Sequence, residues 1–395
     1  MKIKKVFSKR GAIFIKDMII APIAYLISKF YKKKELWIIA ERYDEARDNG
    51  YHLFKYINNK CDCKNIFYII DKNSKDFENI NEFQNIVQFG SFKHHLYYWR
   101  ATKLISTHIN GYMPNENVYK YIHRIIKHNG KKIFLQHGII KDCLPQLFYK
   151  NTKLDLFVCG AKPEYEYIKN TFGYKEHQVQ YLGLCRYDNL LKNKTKKQIL
   201  IMPTFRMEYY VAKDEKLTKE DKRKFINSKY YKVYDELLKS NKLIQKLEKE
   251  KIELIFYPHY EMQKYIELFK DIPKCVKIAK EREYDIQTLL KESKLLITDY
   301  SSVFFDFSYM EKPIIYFQFD KEEYRKKHYK EGYFSYKNDG FGPIETTVEG
   351  VVNKIMQYID TEYEVEKEYL NRNKKFFLYR DTNNCKRNYD AIRRL

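Results

Sequence analysis

The sequence lacks a cysteine pattern that would indicate a zinc site or a disulfide framework. Its seven cysteines are an odd, scattered set. Cys61 and Cys63 are separated by a single residue, whereas zinc knuckles use a two-residue spacing, and no second cysteine pair follows. We therefore predict free thiols in a reducing cytoplasm.

Also missing are a cleavable signal and an uninterrupted apolar run of membrane-spanning length. Lys16 and Asp17 interrupt the first apolar residues, and Pro22 lies inside the next run, residues 18–30. This segment is shorter and more broken than a transmembrane helix requires. Basic residues flank it on both sides, so we predict that residues 1–34 lie as an amphipathic segment on the anionic cytoplasmic face of the plasma membrane. The alternative is a buried first helix behind a basic tail.

The chain has no RNP, zinc-finger or helix-turn-helix signature, no repeat of solenoid period and no carboxylate cluster that argues for a divalent metal. Its 395 residues suit two α/β domains, and 44% hydrophobic content excludes a disordered chain. A net charge of +23 indicates an anionic partner, such as nucleic acid, a phospholipid surface or a phosphorylated substrate. The dispersed lysines argue against nucleic acid. A solvated lysine-rich surface is the alternative.

What the chain does have is short, bounded apolar runs that alternate with helix-length amphipathic segments. The predicted strands are residues 36–39, 66–70, 103–106, 132–135, 156–158, 198–202, 253–257, 295–297 and 313–316. Such runs are typical of parallel sheets covered on both faces. The charged residues 191–197 read as a linker, and residues 213–234 as a charged loop and helix.

We therefore predict an α/β protein with two doubly wound, Rossmann-like domains facing a central cleft. The first spans residues 35–190 and the second residues 198–375, followed by a C-terminal helix at 376–395. Ligands of such folds bind at the carboxyl ends of the strands, so the polar residues at strand ends are the candidates for function.

The most informative strand end reads Thr298-Asp299-Tyr300-Ser301-Ser302, followed by a helical pattern from Val303 toward Lys312. A serine cap on this helix and its free N–H groups would suit a phosphate. Asp299 is a candidate acceptor for a ribose or substrate hydroxyl. Asp306 is either a second polar contact or a first-turn acid that the helix dipole favours.

Two histidines and an arginine stand at other strand ends. His137 precedes Gly138 after a strand of the first domain, and His259 follows Pro258 after a strand of the second. A histidine can take a proton from a hydroxyl near pH 7, and Arg206 can bind phosphate oxygens. Each has a structural alternative.

Two further segments complete the candidates. Arg186 and Asp188 are expected to pair with each other in a turn at the domain boundary. Residues 340–347 form a Gly/Pro turn, read as a mobile loop or an ordinary connection.

These motifs together resemble the CDP-glycerol glycerophosphotransferase family of teichoic acid and capsule synthesis. The resemblance rests on Gln136-His137-Gly138, residues 183–188, Pro203-Thr204-Phe205-Arg206, Tyr257-Pro258-His259, the Thr298–Ser302 turn with Asp306, and Gly342-Pro343. It implies a GT-B fold, His137 and His259 as the catalytic pair, and donor contacts at Arg206, Ser301 and Ser302.

The resemblance also implies transfer of a polyol phosphate, from glycerol or ribitol, from a CDP-linked donor to a lipid-linked or glycan acceptor, with release of CMP. No cofactor is firmly implied, dependence on a divalent metal stays open, and no nucleic acid partner is expected. The closest alternative is a GT-B glycosyltransferase that uses a nucleotide sugar. A basic nucleic-acid-binding protein and a non-catalytic membrane scaffold are the alternatives from other classes.

Overall fold

The chain divides into two units in the computed structural model, which describes residues 9–32, 34–61, 63, 65–192, 194–212, 215–281 and 283–395. Unit 1 comprises Met1–Ile139, Pro145–Asp188 and Asp381–Leu395, of which residues 1–8 lie outside the described part. Unit 2 comprises Ile140–Leu144 and Asn189–Arg380. Lys2, Lys4 and Lys5, which belong to the basic flank of the predicted membrane segment, lie outside the described residues. So do Asp62, Asn193 and Lys213.

Unit 1 is built on a parallel sheet of seven strands in the order β3-β2-β1-β4-β5-β6-β7. The strands are β1 (Trp37–Ala40), β2 (Ile66–Ile70), β3 (Ile86–Gln88), β4 (Lys103–Ser106), β5 (Lys131–Phe134), β6 (Leu156–Cys159) and β7 (Val179–Tyr181). The helices are α1 (Lys9–Ser28), α2 (Asn49–Lys60), α3 (Phe92–Arg100), α4 (Glu116–Ile122), α5 (Tyr149–Thr152) and α6 (Lys162–Thr171), and α7 (Tyr187–Leu190) follows at the boundary along the chain.

The strands form because both of their faces are buried. Successive side chains of a strand point to opposite faces, and in β1 Trp37 and Ile39 enter one apolar cluster while Ile38 and Ala40 enter the other. Helices therefore cover both faces of the sheet, which is the reason that the runs read as continuously apolar.

Unit 2 repeats this design with six parallel strands in the order β10-β9-β8-β11-β12-β13. The strands are β8 (Gln198–Met202), β9 (Glu253–Phe256), β10 (Val276–Ile278), β11 (Leu295–Thr298), β12 (Ile314–Phe317) and β13 (Ile344–Glu345). The helices are α8 (Lys219–Ile226), α9 (Lys229–Leu238), α10 (Asn241–Glu250), α11 (Ile286–Glu292), α12 (Val303–Tyr309), α13 (Lys321–Lys327), α14 (Tyr336–Asp339), α15 (Val348–Asp360) and α16 (Lys367–Phe376).

The last helix, α17 (Asn384–Arg393), belongs to unit 1 rather than to unit 2. Asp188 accepts hydrogen bonds from the backbone N–H groups of Asn384 and Cys385, at 2.8 and 2.9 Å. Asn388 donates to the carbonyl of Gly183 at 2.9 Å. The chain therefore leaves unit 1, builds unit 2 and returns to complete unit 1.

The predicted fold class is confirmed, and all nine predicted strands are present. The four strands that were not predicted, β3, β7, β10 and β13, are the edge strands of the two sheets. The predicted helix after Ser302 is shorter than expected, because α12 ends at Tyr309 and Glu311 turns with a φ of 54° before Pro313. The charged segment up to residue 234 holds two helices, α8 and the first part of α9, rather than one.

Candidate functional site

In both units the strand order reverses direction once, and this switch point marks where ligands bind in doubly wound sheets. In unit 2 it lies between β8 and β11. The segments that leave these strands are Pro203-Thr204-Phe205-Arg206 and Asp299-Tyr300-Ser301-Ser302. His259 follows the neighbouring strand β9, and its backbone N–H donates to the carbonyl of Pro203 at 3.2 Å. Unit 2 therefore places the predicted donor-binding residues at the carboxyl ends of its strands, which we call the carboxyl edge of the sheet.

Arg206 and Asp299 form the buried part of this edge. The Arg206 side chain is 3% exposed, and its Nη2 lies 2.9 Å from Asp299 Oδ2 while its Nε donates to Asp320 Oδ2 at 2.7 Å. Asp299 also accepts from the backbone N–H groups of Thr204 and Tyr300, at 2.8 and 2.6 Å. Despite the cost of burial, these carboxylates raise the pKa of Arg206, so the guanidinium stays charged.

The serines occupy the more accessible part of the same edge. Ser301 and Ser302 are half-buried, and Ser301 Oγ accepts a long bond of 3.5 Å from the N–H of Val303. Ser302 stands at the predicted N-cap position of α12, but its hydroxyl makes no capping hydrogen bond and its backbone is already helical, so the hydroxyl that accepts from a first-turn N–H is that of Ser301. Asp306 is buried on the first turn of α12.

His259 is half-buried and follows β9, which is separated by β8 from the strand that leads to the serines. Its Nδ1 accepts from the N–H of Glu261 at 3.3 Å, which places the proton of the neutral ring on Nε2. The ring stacks on Phe205, with centroids 5.0 Å apart. A ring held in this way can donate a hydrogen bond from Nε2 to an oxygen of a ligand.

In unit 1 the switch point lies between β1 and β4, and His137 follows the adjacent strand β5. The His137 side chain is exposed, and its Nδ1 lies 3.4 Å from the carbonyl oxygen of Thr107. Because a carbonyl only accepts, Nδ1 carries the proton and Nε2 keeps its lone pair. Loss of solvent around part of the ring lowers the pKa of His137, although Asp48 acts in the opposite direction. The ring is therefore neutral near pH 7, as a general base requires.

A set of buried hydrogen bonds fixes the backbone around His137. Gln136 has a φ of 62°, a left-handed conformation that is unusual for a residue with a side chain. Its carbonyl accepts from Asn49 Nδ2 at 2.8 Å, and the carbonyl of His137 accepts from Arg186 Nη1 at 3.1 Å. The expected Arg186–Asp188 pair is wrong, because Arg186 instead pairs with Asp48 at 2.7 Å.

The helix end that commonly binds phosphate in such folds is already occupied in unit 1. Glu41, directly after β1, is fully buried and accepts from the N–H groups of Arg47, Asp48 and Tyr51 at 2.8–3.1 Å. Burial, with a further contribution from Asp48, raises the pKa of Glu41 to about 8. The N-terminus of α2 is therefore filled by an internal side chain, and the anion-binding features lie in unit 2.

Sequence reasoning missed two residues of these edges. His108 stands after β4 as His137 stands after β5, so the same strand-end rule applied to residues 103–106 would have found it. Asp320 stands three residues after β12, at the N-cap position of α13. Among the residues that the structure describes, no three or more His, Cys, Asp or Glu side chains are grouped so as to hold a metal ion.

Two doubly wound parallel sheets, with polar loops at the carboxyl ends of their strands, define a protein of the GT-B class. The chain belongs to the CDP-Glycerol:Poly(glycerophosphate) glycerophosphotransferase family, whose family model matches residues 23–394. The resemblance inferred from the motifs is thus confirmed.

Comparison with individual proteins supports the same family. The chain is 35% identical to the Minor teichoic acid biosynthesis protein GgaB of Bacillus subtilis (strain 168) over 388 residues, 98% of this chain and 42% of that protein. It is 28% identical over 258 residues to the Teichoic acid poly(glycerol phosphate) polymerase of the same organism, 64% of this chain and 30% of that protein. The chain therefore spans less than half the length of these relatives.

The structural comparison supports the fold. The Wall Teichoic Acid Polymerase TagF superposes with a TM-score of 0.69 and 17% identity, over 96% of this chain and 95% of the TagF chain. A UDP-GlcNAc 2-epimerase from Neisseria meningitidis superposes with a TM-score of 0.52 and 9% identity, over 92% of this chain and 100% of that chain.

Proposed function

We propose that this chain transfers a polyol phosphate, glycerol phosphate or ribitol phosphate, from a CDP-linked donor to a hydroxyl of a membrane-linked or glycan acceptor. The products are a new phosphodiester and CMP, and the setting is teichoic acid or capsule synthesis. Family membership supports this activity, as do relatives that are named for teichoic acid synthesis. A solved structure of a TagF variant with CDPG supports a donor of this kind.

The observation that carries the proposal is the state of His137, an exposed, neutral histidine whose Nδ1 faces a carbonyl. In the proposed reaction His137 Nε2 takes the proton of the acceptor hydroxyl, and the oxygen attacks the β-phosphorus of the donor. The bond from that phosphorus to the bridging oxygen breaks, and CMP leaves with the electron pair. Positioning and charge neutralisation supply most of the catalysis in such transfers.

The donor diphosphate is assigned to unit 2. His259 Nε2 and the hydroxyls of Ser301 and Ser302 are the groups that we propose to contact phosphate oxygens. The sequence suggested Arg206 and Asp299 as direct contacts. We propose instead that they hold in place the two segments that follow β8 and β11 and make no contact with the donor. Asp306, which is buried on α12 directly after the serines, is proposed to stabilise the turn at Ser301 and Ser302.

The first experiment is incubation of the purified chain with labelled CDP-glycerol, CDP-ribitol and UDP-sugars, together with lipid-linked and glycan acceptors, followed by mass spectrometry of the products. We expect transfer from a CDP-polyol and release of CMP. Transfer from a UDP-sugar alone would establish the glycosyltransferase alternative instead.

The second experiment separates the base from the donor site. His137→Ala should lower kcat by about 10²–10⁴-fold, the usual contribution of a general base, while the donor Kd changes less than threefold. His259→Ala should weaken donor binding. His177→Ala is the matched control, since His177 is an exposed histidine of unit 1. Equal loss of donor binding in His137→Ala would overturn the base assignment.

We further propose that helix α1 attaches the chain to an anionic membrane surface. By length and composition alone, Gly11–Ser28 is apolar enough to cross a membrane, so the expectation that the segment is too short was wrong. One face of α1 exposes Ile15, Ile19, Ile23 and Leu26, each at least 45% accessible. That spacing of four, four and three residues places all four side chains on one stripe of the helix.

The opposite face of α1 is packed on unit 1, which favours a helix that lies on the membrane over one that crosses it. Asp17 is 1% exposed, lies 3.4 Å from His95 Nε2 and accepts from Asn115 Nδ2 at 2.9 Å. Trp99 Nε1 donates to the carbonyl of Ala21 at 3.1 Å. A crossing helix would have to break these contacts and leave buried groups unpaired.

Vesicle co-sedimentation tests this attachment. Ile19→Asp and Ile23→Asp should each weaken binding to anionic vesicles at least tenfold, because each removes apolar surface and adds a repelled charge. Ile226→Asp is the control, since Ile226 is 40% exposed in unit 2. Unchanged vesicle binding in both α1 variants would rule out this surface.

A further inference from the structure

The carboxyl edge of unit 1 holds a second histidine that the reaction described above does not use. The rings of His108 and His137 are stacked face to face, with centroids 4.6 Å apart and an interplanar angle of 4°. Both rings border the same residue, since Thr107 Oγ1 lies 3.0 Å from His108 Nδ1 and its carbonyl faces His137. The two side chains therefore form one assembly across the ends of β4 and β5.

The position of His108 is built into a tight loop. Its backbone N–H donates to Ser106 Oγ at 3.1 Å, and its carbonyl accepts from the N–H of Gly111 at 3.1 Å. A Cβ at Gly111 would stand 2.4 Å from Ser106 Oγ and 2.5 Å from the carbonyl oxygen of Glu41, so only glycine fits there. The loop thus fixes the backbone of His108, and Thr107 Oγ1, 3.0 Å from Nδ1, orients the ring against His137.

We propose that His108 is a positioning residue for the base: its ring, packed flat against His137, fixes the plane of the His137 ring and the direction of Nε2. The proposal rests on the proposed function and assigns no contact between His108 and substrate. When His137 takes the proton of the acceptor, the resulting cation lies over the face of the His108 ring.

The charged groups around His108 and His137 favour a state in which at most one of the two rings is protonated. Burial lowers the pKa of His108 to about 3, with smaller contributions from His137 and Arg42. Arg42 and Arg186 also oppose protonation of His137, and Asp48 favours it. His108 therefore stays neutral through the working pH range and can serve as an uncharged partner for the imidazolium of His137.

The test uses the full chain with His108→Ala, which removes the ring, and His108→Phe, which keeps a flat ring that cannot titrate. His177→Ala is the control for loss of a histidine. NMR of histidine labelled with ¹⁵N reports the tautomer and titration of His137 in each variant, and steady-state kinetics reports kcat, the donor KM and the pH profile of kcat/KM.

We expect wild-type His137 to be the Nδ1–H tautomer. In His108→Ala we expect a mixture of tautomers, a kcat lowered about tenfold, a donor KM within twofold of wild type and a shifted acid limb of kcat/KM. His108→Phe should restore the tautomer and bring kcat to within threefold of wild type. An unchanged His137 tautomer in His108→Ala, or a His108→Phe variant that behaves like His108→Ala, overturns the proposal.

The NMR measurement keeps this inference separate from the proposed function. If no donor supports transfer but the His137 tautomer still depends on the ring at position 108, the positioning role stands and the reaction is wrong. If transfer occurs and the tautomer does not depend on that ring, the reaction stands and the positioning role falls.

Discussion

Replacement of Arg206 by methionine tests whether this arginine stabilises unit 2 or binds the donor directly. The guanidinium lies between two carboxylates that are almost fully buried, Asp299 and Asp320, and Nη1 donates to the carbonyl of Thr204 at 2.8 Å. Methionine fills much of the same volume but removes the charge. Both carboxylates then lose their cation while they remain in the protein interior.

The magnitude follows from the burial of the ion pairs. Removal of one partner of a buried pair costs about 3–5 kcal/mol, because the remaining charge is left uncompensated. Since about 1.4 kcal/mol corresponds to a factor of ten, the opening equilibrium of unit 2 should rise roughly a hundred- to several thousand-fold. An exposed arginine that only bound ligand would change it by much less.

Hydrogen exchange followed by mass spectrometry is the suitable assay, because both tryptophans of the chain, Trp37 and Trp99, lie in unit 1 and would not report on unit 2. Peptides from β8 and β11 should lose protection in Arg206→Met, while peptides from β1 and β4 serve as the internal control. Arg206→Lys is the matched variant, since it keeps the charge but cannot bridge both carboxylates in the same way.

A particular result would refute this reasoning. If Arg206→Met keeps full protection of β8 and β11 but no longer binds a CDP-polyol, the arginine is a ligand contact and its burial does not reflect a structural role.

Three further predictions concern stability. Burial lowers the pKa of His94 to about 3 and of His128 to about 4, so below pH 6.5 the unfolded chain binds more protons than the folded one. Each histidine should therefore lower the free energy of unfolding by about 2 kcal/mol between pH 7 and pH 5. In urea unfolding, His94→Gln should make the stability of unit 1 depend less steeply on pH, and an unchanged slope would contradict this. Lys312→Met should cost about 2 kcal/mol in urea unfolding, because the ammonium donates to three backbone carbonyls at 2.6–3.0 Å; a loss below 0.5 kcal/mol would show that they do not matter. Gly342→Ala should cost about 3 kcal/mol, since its Cβ would stand 1.9 Å from the carbonyl oxygen of Ile314, and a wild-type Tm would contradict the packing.

The sequence predicts the central strands well and the edge strands poorly, for a physical reason. A central strand such as β8 is buried along its whole length, and four of its five residues are apolar, so the run is recognisable. The strands β10 and β13 have three and two residues, and one residue of each is exposed. Such short segments have the composition of loops, and only the neighbouring strand makes them part of the sheet.

The sequence predicts the residue types of the site, but it does not show which of them face a ligand and which stabilise the fold. The strand-end rule identifies His137, His259, Ser301 and Arg206 without knowledge of contacts. It cannot tell that Arg206 points into the protein, because its partner Asp320 lies 114 residues further along the chain. The rule can find His108 after β4, but it cannot tell that this ring stacks on His137, because the closeness of β4 and β5 is a property of sheet order.

The return of α17 to unit 1 bears on how the chain is made. Unit 1 is synthesised first but is complete only once the helix at Asn384–Arg393 has been made, since the Asp188 side chain and the Gly183 carbonyl accept hydrogen bonds from that helix. Unit 2, in contrast, is continuous apart from the short segment Ile140–Leu144, which is already synthesised when unit 2 begins. The last helix of the unit that carries the proposed base is therefore synthesised after all of the unit that carries the proposed donor site.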